Sequence, residues 1–241
     1  MIETESAHEQ AFEALSGRPD STVFLTAEHA MERFPMGFSL PAEDAWLRGT
    51  HWAFDLGVEP LVRELSAALL APAVMARFSR LLVDPNRAEH EETLFRAEAE
   101  GRVIALNAHL DDPERERRLA ALYRPYHAAV DAGLSATKGE VLFSVHSFTP
   151  VYDGHVREME LGVLFNREDD LAEQLRRALE SAGFRVAMNE PYSGKEGLIY
   201  SAEHHADAHG LRALELEVRQ DLAVDAAFRA RLVEALRRFF L

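Results

Sequence analysis

The chain has 241 residues, 47% hydrophobic and 28% charged, enough to bury a substantial core as one large domain or two small ones. Its 26 Lys and Arg against 41 Asp and Glu leave a formal charge of −15, which disfavours non-specific nucleic-acid binding while leaving room for arginines to hold a small anion. No apolar run approaches the ~18 residues of a membrane helix, and "MIETESAHEQAFEALSG" lacks the basic start and apolar run of a signal peptide; the absence of cysteine excludes disulfides and thiolate metal sites and suits a cytoplasmic protein.

The amphipathic N-terminus predicts a helix over residues 5–16. "STVFLTAEHA" (21–30) reads as a strand ending in polar residues, and "DLGVEPLVRELSAALLAP" (55–72) as a helix with Leu61, Leu65 and Leu69 on one face. "PAVMARFSRLLVDPNR" (72–87) predicts one or two short strands closing in a turn at Pro85. "DDPERERRLAALYRPYHAAVDAGL" (111–134) predicts a helix with Asp112 as N-cap, Pro113 in its first turn and a kink at Pro125. "EVLFSVHSF" (140–148) and "LGVLFN" (161–166) predict strands, and "EDDLAEQLRRALESAG" (168–183) a helix stopped by Gly183. "FRVAMNEPYSG" (184–194) and "LRALELEVRQDL" (211–222) follow as strands, and residues 223–240 as a closing helix. Strands alternating with helices indicate a single α/β domain with a mostly parallel or mixed central sheet flanked by helices.

In such sheets, ligands bind beyond the carboxyl ends of the strands. The first strand delivers Glu28, His29 and then Glu32; "VLFSVHSFTP" delivers His146; "ALELEVRQD" carries Glu215, Glu217 and Arg219 on one face. Histidines and carboxylates meeting at one edge suggest a zinc site. Blander readings stand beside each residue. His146 is a satisfied core histidine, a metal ligand or an acid–base group; Glu32 is a ligand in an H-x-x-E pair or a first-turn surface glutamate. The charged face of "LELEVR" is solvated, or it places a carboxylate where it takes a proton from water and returns it to a leaving amine. Arg80 and Arg87 are surface charges or a bidentate clamp for a substrate carboxylate.

The blocks "TAEHA", "HWAFDLG", "FSRLLVDPNR", "VHSFTP", "GVLFNRED", "NEPYS", "EHHADAHG" and "LELEVRQDL" occur in an order that resembles the N-formylglutamate amidohydrolase (N-formylglutamate deformylase) family, over residues 22–222. The resemblance implies a zinc-carboxypeptidase and aspartoacylase-like fold, one divalent zinc ion, hydrolysis of a small anionic N-acyl amino acid to formate and the free amino acid, and a link to histidine degradation. It implies His29 and His146 as metal ligands, Asn86-Arg87 with Arg219 as substrate contacts, and Glu217 as general acid–base. Asp55 is the favoured third ligand and Glu32 the alternative, with Met31-Glu32 departing from the family's usual residues; an N-cap role is the blander reading of Asp55. His205 falls at a family position as an oxyanion or substrate contact, or in a structural hydrogen bond. Ser147 and Tyr192 are expected to line the site, and His8, His51, His90, His109, His127, His155, His204 and His209 to be surface or loop residues. Another deacylase or peptidase of the same superfamily, or a non-catalytic ligand-binding relative, is the competing reading. No membrane or nucleic-acid partner is expected.

Overall fold

The computed structural model describes residues 11–241. Its main sheet has seven strands: β1 (Phe12–Leu15), β2 (Val23–Ala27), β3 (Ala73–Ala76), β4 (Val141–Phe148), β5 (Leu161–Leu164), β6 (Val186–Met188) and β7 (Arg212–Arg219). Their spatial order is β1-β3-β2-β4-β7-β5-β6. The central strands β3, β2, β4 and β7 run parallel. β1 and β5 pair antiparallel with β3 and β7, and β6 lies parallel to β5. The sheet is therefore mixed around a parallel centre. Among the described residues six α-helices of seven residues or more accompany it, α1 (Val58–Leu69), α2 (Asp112–Arg118), α3 (Arg124–Ser135), α4 (Asp169–Ser181), α5 (Tyr200–His209) and α6 (Ala226–Phe240), with a single helical turn over Gln220–Ala223. Among the described residues no helix is long and apolar enough to cross a membrane.

Pleat alternation divides the core into two faces. Leu25, Phe143, Val145, Leu214 and Leu216 pack with Leu61 and Leu65 of α1, Leu175 of α4 and Leu232 of α6. On the other face Phe24, Leu142 and Ala213 meet Tyr126 and Val130 of α3 and Ala202 and Ala206 of α5. Along β4 and β7 this second face turns polar toward the carboxyl ends, continuing as Ser144 and His146 beside Glu215 and Glu217. Those residues are nonetheless buried, because α3, α5 and the long loops cover them.

Several local expectations are corrected. The helix over 5–16 falls partly on residues 1–10, outside the described residues, and Phe12–Leu15 is a strand. Pairing on the edge of β3 satisfies backbone groups a short helix could not, and Glu13 takes a two-point ion pair from Arg63 at 2.7 Å each. The cap of α2 is Asp111, whose carboxylate accepts from Glu114 N at 2.9 Å, so Asp112 is the first helical residue. A π-helical turn over Leu119–Tyr123 separates α2 from α3 just before Pro125, whose missing N–H falls at this break. Residues 77–87 are irregular rather than a second strand. α5 has little amphipathic signal, since its buried stripe is Ser201, Ala202, His205 and Ala206.

Candidate functional site

Adjacent parallel strands β2 and β4 bring His29 and His146 together just beyond and near their carboxyl ends. The two Nδ1 atoms lie 3.1 Å apart. Asp55 enters from the loop before α1, where its own N–H donates to His29 O at 2.8 Å. Its Oδ2 is 2.9 Å from His146 Nδ1 and 3.6 Å from His29 Nδ1. The N-cap reading of Asp55 fails: the cap of α1 is Gly57, and Asp55 Oδ2 instead accepts the Ser147 N–H at 3.1 Å.

The opposite ring edges determine the tautomers. His29 Nε2 faces Asp84 Oδ1 at 2.7 Å, and His146 Nε2 faces Glu28 Oε2 at 2.9 Å. An ionised carboxylate only accepts, so each Nε2 carries a proton and donates, leaving a lone pair on each Nδ1 when the rings are neutral. Three acceptors, His29 Nδ1, His146 Nδ1 and Asp55 Oδ2, thus converge within 4.8 Å of one another in buried surroundings. Such a set calls for a cation, and two imidazoles with one carboxylate fit a divalent metal of zinc's type with a coordination position left open. The carboxylates behind the histidines match the outer layer that orients metal-binding imidazoles.

That layer is itself fully bonded. Burial alone would raise the Glu28 carboxyl, but the hydrogen bond and charge of His146, with the Ser144 and Ser201 hydroxyls, hold it well below the usual range. Its oxygens accept from Ser144 at 2.6 Å, Ser201 at 2.8 Å and Tyr126 at 2.9 Å. Asp84 is likewise held low, against burial, by Arg80 and by His29; Arg80 donates to its Oδ2 at 2.6 and 3.1 Å. His146 is pushed up despite burial, chiefly by Glu215 and by hydrogen bonds to Asp55 and Glu28.

The β7–β4 register sets Glu217 opposite His146 and Glu215 opposite Ser144. Both carboxylates are buried and line the same pocket as the histidines, so the solvated-face reading is wrong. One oxygen of each has no hydrogen-bond partner. Burial pushes Glu215 up to about 7; burial, joined by the neighbouring charges of Glu215 and Asp55, drives Glu217 well above the carboxylate range. Glu215 Oε2 lies 3.5 Å from His146 Nε2, on the ring edge away from Nδ1. Glu217 sits one face position closer to the strand end. Across β7, Gly162 leaves space for the Glu190 carbonyl: a Cβ there would stand 2.1 Å from that oxygen and 3.3 Å from the Glu217 Cβ.

The pocket wall includes Arg87, Asn86, Ser147 and Tyr192, all anticipated from sequence. Asn86 is largely occupied structurally, accepting from Ser201 N at 2.9 Å and donating to Leu198 O at 3.3 Å. Glu32 is outside the ligand cluster; its Oε2 accepts from Gly49 N at 2.8 Å. Arg219 does not line the pocket: it pairs with Asp221 at 2.8 Å and donates to the Arg157 carbonyl. His205 is also outside, buried in α5 with Nδ1 2.8 Å from Asp131 and Nε2 2.8 Å from His127 Nδ1. This is the structural hydrogen-bond reading, and it makes His127 a buried helix residue rather than a surface one. His51 lies in a loop, as expected, and also lines the pocket, which the sequence did not indicate; His8 lies outside the described residues. Asp84, Trp52, Arg96 and Tyr152 were not anticipated as site residues. "VDPNR" did contain Asp84, but its pairing with His29 spans 55 positions and has no local signature.

Residues 21–224 match the model of the N-formylglutamate amidohydrolase family. An N-formylglutamate deformylase of Pseudomonas aeruginosa is 26% identical over 203 residues, covering 74% of this chain and 75% of the relative. A solved protein of Agrobacterium tumefaciens superposes with a TM-score of 0.86 at 31% identity, covering 97% of this chain and 94% of the other. The structure of an N-formylglutamate amidohydrolase from Ralstonia eutropha has the same fold, with a TM-score of 0.71 at 19% identity and 96% of both chains covered.

Proposed function

The chain belongs to the N-formylglutamate amidohydrolase family, and we propose that it is a metal-dependent amidohydrolase that cleaves an N-formyl amino acid, N-formylglutamate or a close analogue, to formate and the free amino acid. The observation that carries the metal dependence is the convergence of His29 Nδ1, His146 Nδ1 and Asp55 Oδ2, with both Nε2 protons committed to buried carboxylates. We assign these three as ligands and zinc as the ion. When bound, zinc would polarise the acyl carbonyl and lower the pKa of water toward ~7.

The chain's own residues account for the proton traffic. Glu217 has a buried, unpartnered carboxylate oxygen in the pocket and no structural duty among the described residues. A dication held by His29, His146 and Asp55 would offset the effect of burial and favour its ionised form, which takes a proton from the attacking water as the water oxygen bonds to the formyl carbon. Glu217 returns that proton to nitrogen as the carbon–nitrogen bond breaks, so the amine leaves neutral. Glu215, packed behind His146, acts on the ligand instead. Arg87, with Nε on Thr93 Oγ1 at 3.2 Å and one terminal nitrogen on the Asn86 carbonyl at 2.6 Å, keeps further N–H donors for a substrate carboxylate. Its backbone is held by Tyr123, whose hydroxyl donates to the Arg87 carbonyl at 2.7 Å.

The test is metal analysis of the purified protein together with formate release from N-formyl-L-glutamate, compared with N-acetyl-L-glutamate and dipeptides. Stoichiometric zinc and formate release that is abolished by chelator and restored by zinc are expected. A zinc-loaded protein that hydrolyses none of these compounds refutes the activity, and a preference for dipeptides makes it a peptidase.

A further inference from the structure

Three guanidiniums line the pocket, and two have acidic neighbours. Arg80 is neutralised by Asp84 at 2.6 Å, with Asp55 a further 3.7 Å contact. Arg87 makes the contacts given above and lies 3.8 Å from Glu91. Arg96 is different. Among the described residues its guanidinium has no ion pair and no hydrogen bond; it lies over the Trp52 ring, 5.1 Å from the centroid. Trp52 is itself anchored through its indole N–H to Glu100 at 3.1 Å.

The Arg96 backbone is also held, since its carbonyl accepts from Asn107 Nδ2 at 2.8 Å. The head is therefore placed by a fixed backbone and a stacking partner while its N–H donors remain unused. It is half-buried, and Arg80 and Arg87 crowd it with like charge. Burial first, and those two cations second, make its charged form harder to hold than usual. With Arg80 taken up by Asp84 and Arg87 close to Glu91, Arg96 is the pocket guanidinium left without a carboxylate partner among the described residues, and an anionic ligand group matches it.

We propose that Arg96, stacked on Trp52, receives a second carboxylate, so that Arg87 and Arg96 together select N-acyl amino acids whose side chain ends in a carboxylate. The inference rests on the reading of this pocket as an N-acyl amino acid site, and it assigns Arg96 to specificity rather than to the chemical step. A guanidinium suits the task because its planar fork reads a carboxylate at two points while its face stays on the indole.

The experiment compares wild type, Arg96→Gln and Arg96→Lys, all zinc-loaded. On N-formyl-L-glutamate, Arg96→Gln is expected to lower kcat/KM by about 10–100-fold, mostly through KM, the range for losing a charged hydrogen-bonding partner. On N-formyl-L-glutamine it should change little, and Arg96→Lys should fall between. Calorimetric binding of glutarate and butyrate gives a readout free of turnover. Wild type should prefer glutarate, and Arg96→Gln should lose that preference while keeping its affinity for butyrate. Equal losses on both formyl substrates, or a wild type that binds glutarate no better than butyrate, overturn the proposal. Discrimination of glutarate by Arg96 in a protein that deformylates nothing would sink the deformylase reading and leave the dicarboxylate receptor standing.

Discussion

Replacing Glu28 by Gln removes one charge and almost no volume from a fully buried carboxylate that accepts from Tyr126, Ser144, Ser201 and His146. The Gln amide keeps one acceptor oxygen and substitutes a donor for the other. If the new NH2 takes the place of Oε1, the Tyr126 or Ser201 hydroxyl can rotate to accept it. If it takes the place of Oε2, His146 Nε2 must give up its proton, and the imidazole then carries hydrogen on Nδ1, the atom meant for the metal. In either arrangement the ring loses the anionic partner that made it a better ligand. Loss of such an outer partner lowers metal affinity about 10–100-fold, or about 1.4–2.7 kcal/mol. The metal-free fold should lose about 2–4 kcal/mol as well, because a buried charged network is left partly unmatched. Competition against a chromophoric chelator measures the first quantity, and denaturant unfolding in excess chelator the second. Ser201→Ala, which removes one donor and leaves the His146 contact, should cost stability with little change in zinc affinity. A Glu28→Gln protein that binds zinc within twofold of wild type would refute the assignment of Nδ1 as the ligand atom and of Glu28 as the group that fixes it.

Glu217→Gln should cut kcat by about 10²–10⁴ at unchanged zinc content, measured by formate release with parallel metal analysis; metal loss instead would make Glu217 a ligand. Glu215→Gln should act mainly on zinc affinity, since its carboxylate lies 3.5 Å from His146 Nε2, and leave kcat of the saturated enzyme within about tenfold. Arg87→Ala should raise KM about 10–100-fold with a smaller effect on kcat, and Arg87→Lys should recover part of it because the two-point geometry is lost; an unchanged KM removes Arg87 from substrate binding. The pH dependence follows from Glu28: its folded pKa is depressed below the ordinary 4.5, so its stabilising contribution is present above that value and lost as pH falls through the folded one. In chelator, the stability gap between wild type and Glu28→Gln should therefore shrink on acidification below about pH 4.5; a gap that widens there contradicts the ion-pair origin.

The strand half of the site could be read from the sequence because a strand has a period of two. Once "VLFSVHSF" and "ALELEVR" are strands, alternation fixes which side chains share a face, and their register then sets Glu217 beside His146. The eight ordered blocks also identified the family. The sequence left the environment of that face open. Charged alternation looks the same whether water or protein lies over it, and in the fold Glu215 and Glu217 are buried under helices and the long loops that wall the pocket. His205 shows the reverse error. A histidine in a family block reads as functional, but α5 turns it inward to Asp131 and His127, away from the pocket.

The pocket wall was least legible, and the reason lies in how its loops are held. The segment carrying Arg80, Asp84, Arg87 and Arg96 has no periodic apolar pattern, because buried polar side chains fix it. Ser79 Oγ donates to the Ala53 carbonyl, tying this loop to the one that bears Asp55. Asn107 Nδ2 donates to the carbonyls of Leu81 and Arg96, and Arg118 donates to the Leu82 carbonyl and to Asn107 Oδ1. Asp44 accepts the N–H groups of Ala105 and Leu106. In the sequence these residues look like ordinary solvated polar groups. In the fold they satisfy backbone groups 11 to 62 positions away, as buried loop backbone requires. The two proposed duties are also separated physically: the proposed ligand His146 and the proposed base Glu217 sit on β4 and β7, whereas the cations of the wall sit on loops. The register of β4 and β7 cannot shift by one residue without turning His146 and Glu217 to the opposite face. The wall hangs on individual polar anchors, so replacing Arg96 is expected to leave that register, and with it the proposed metal ligands, in place.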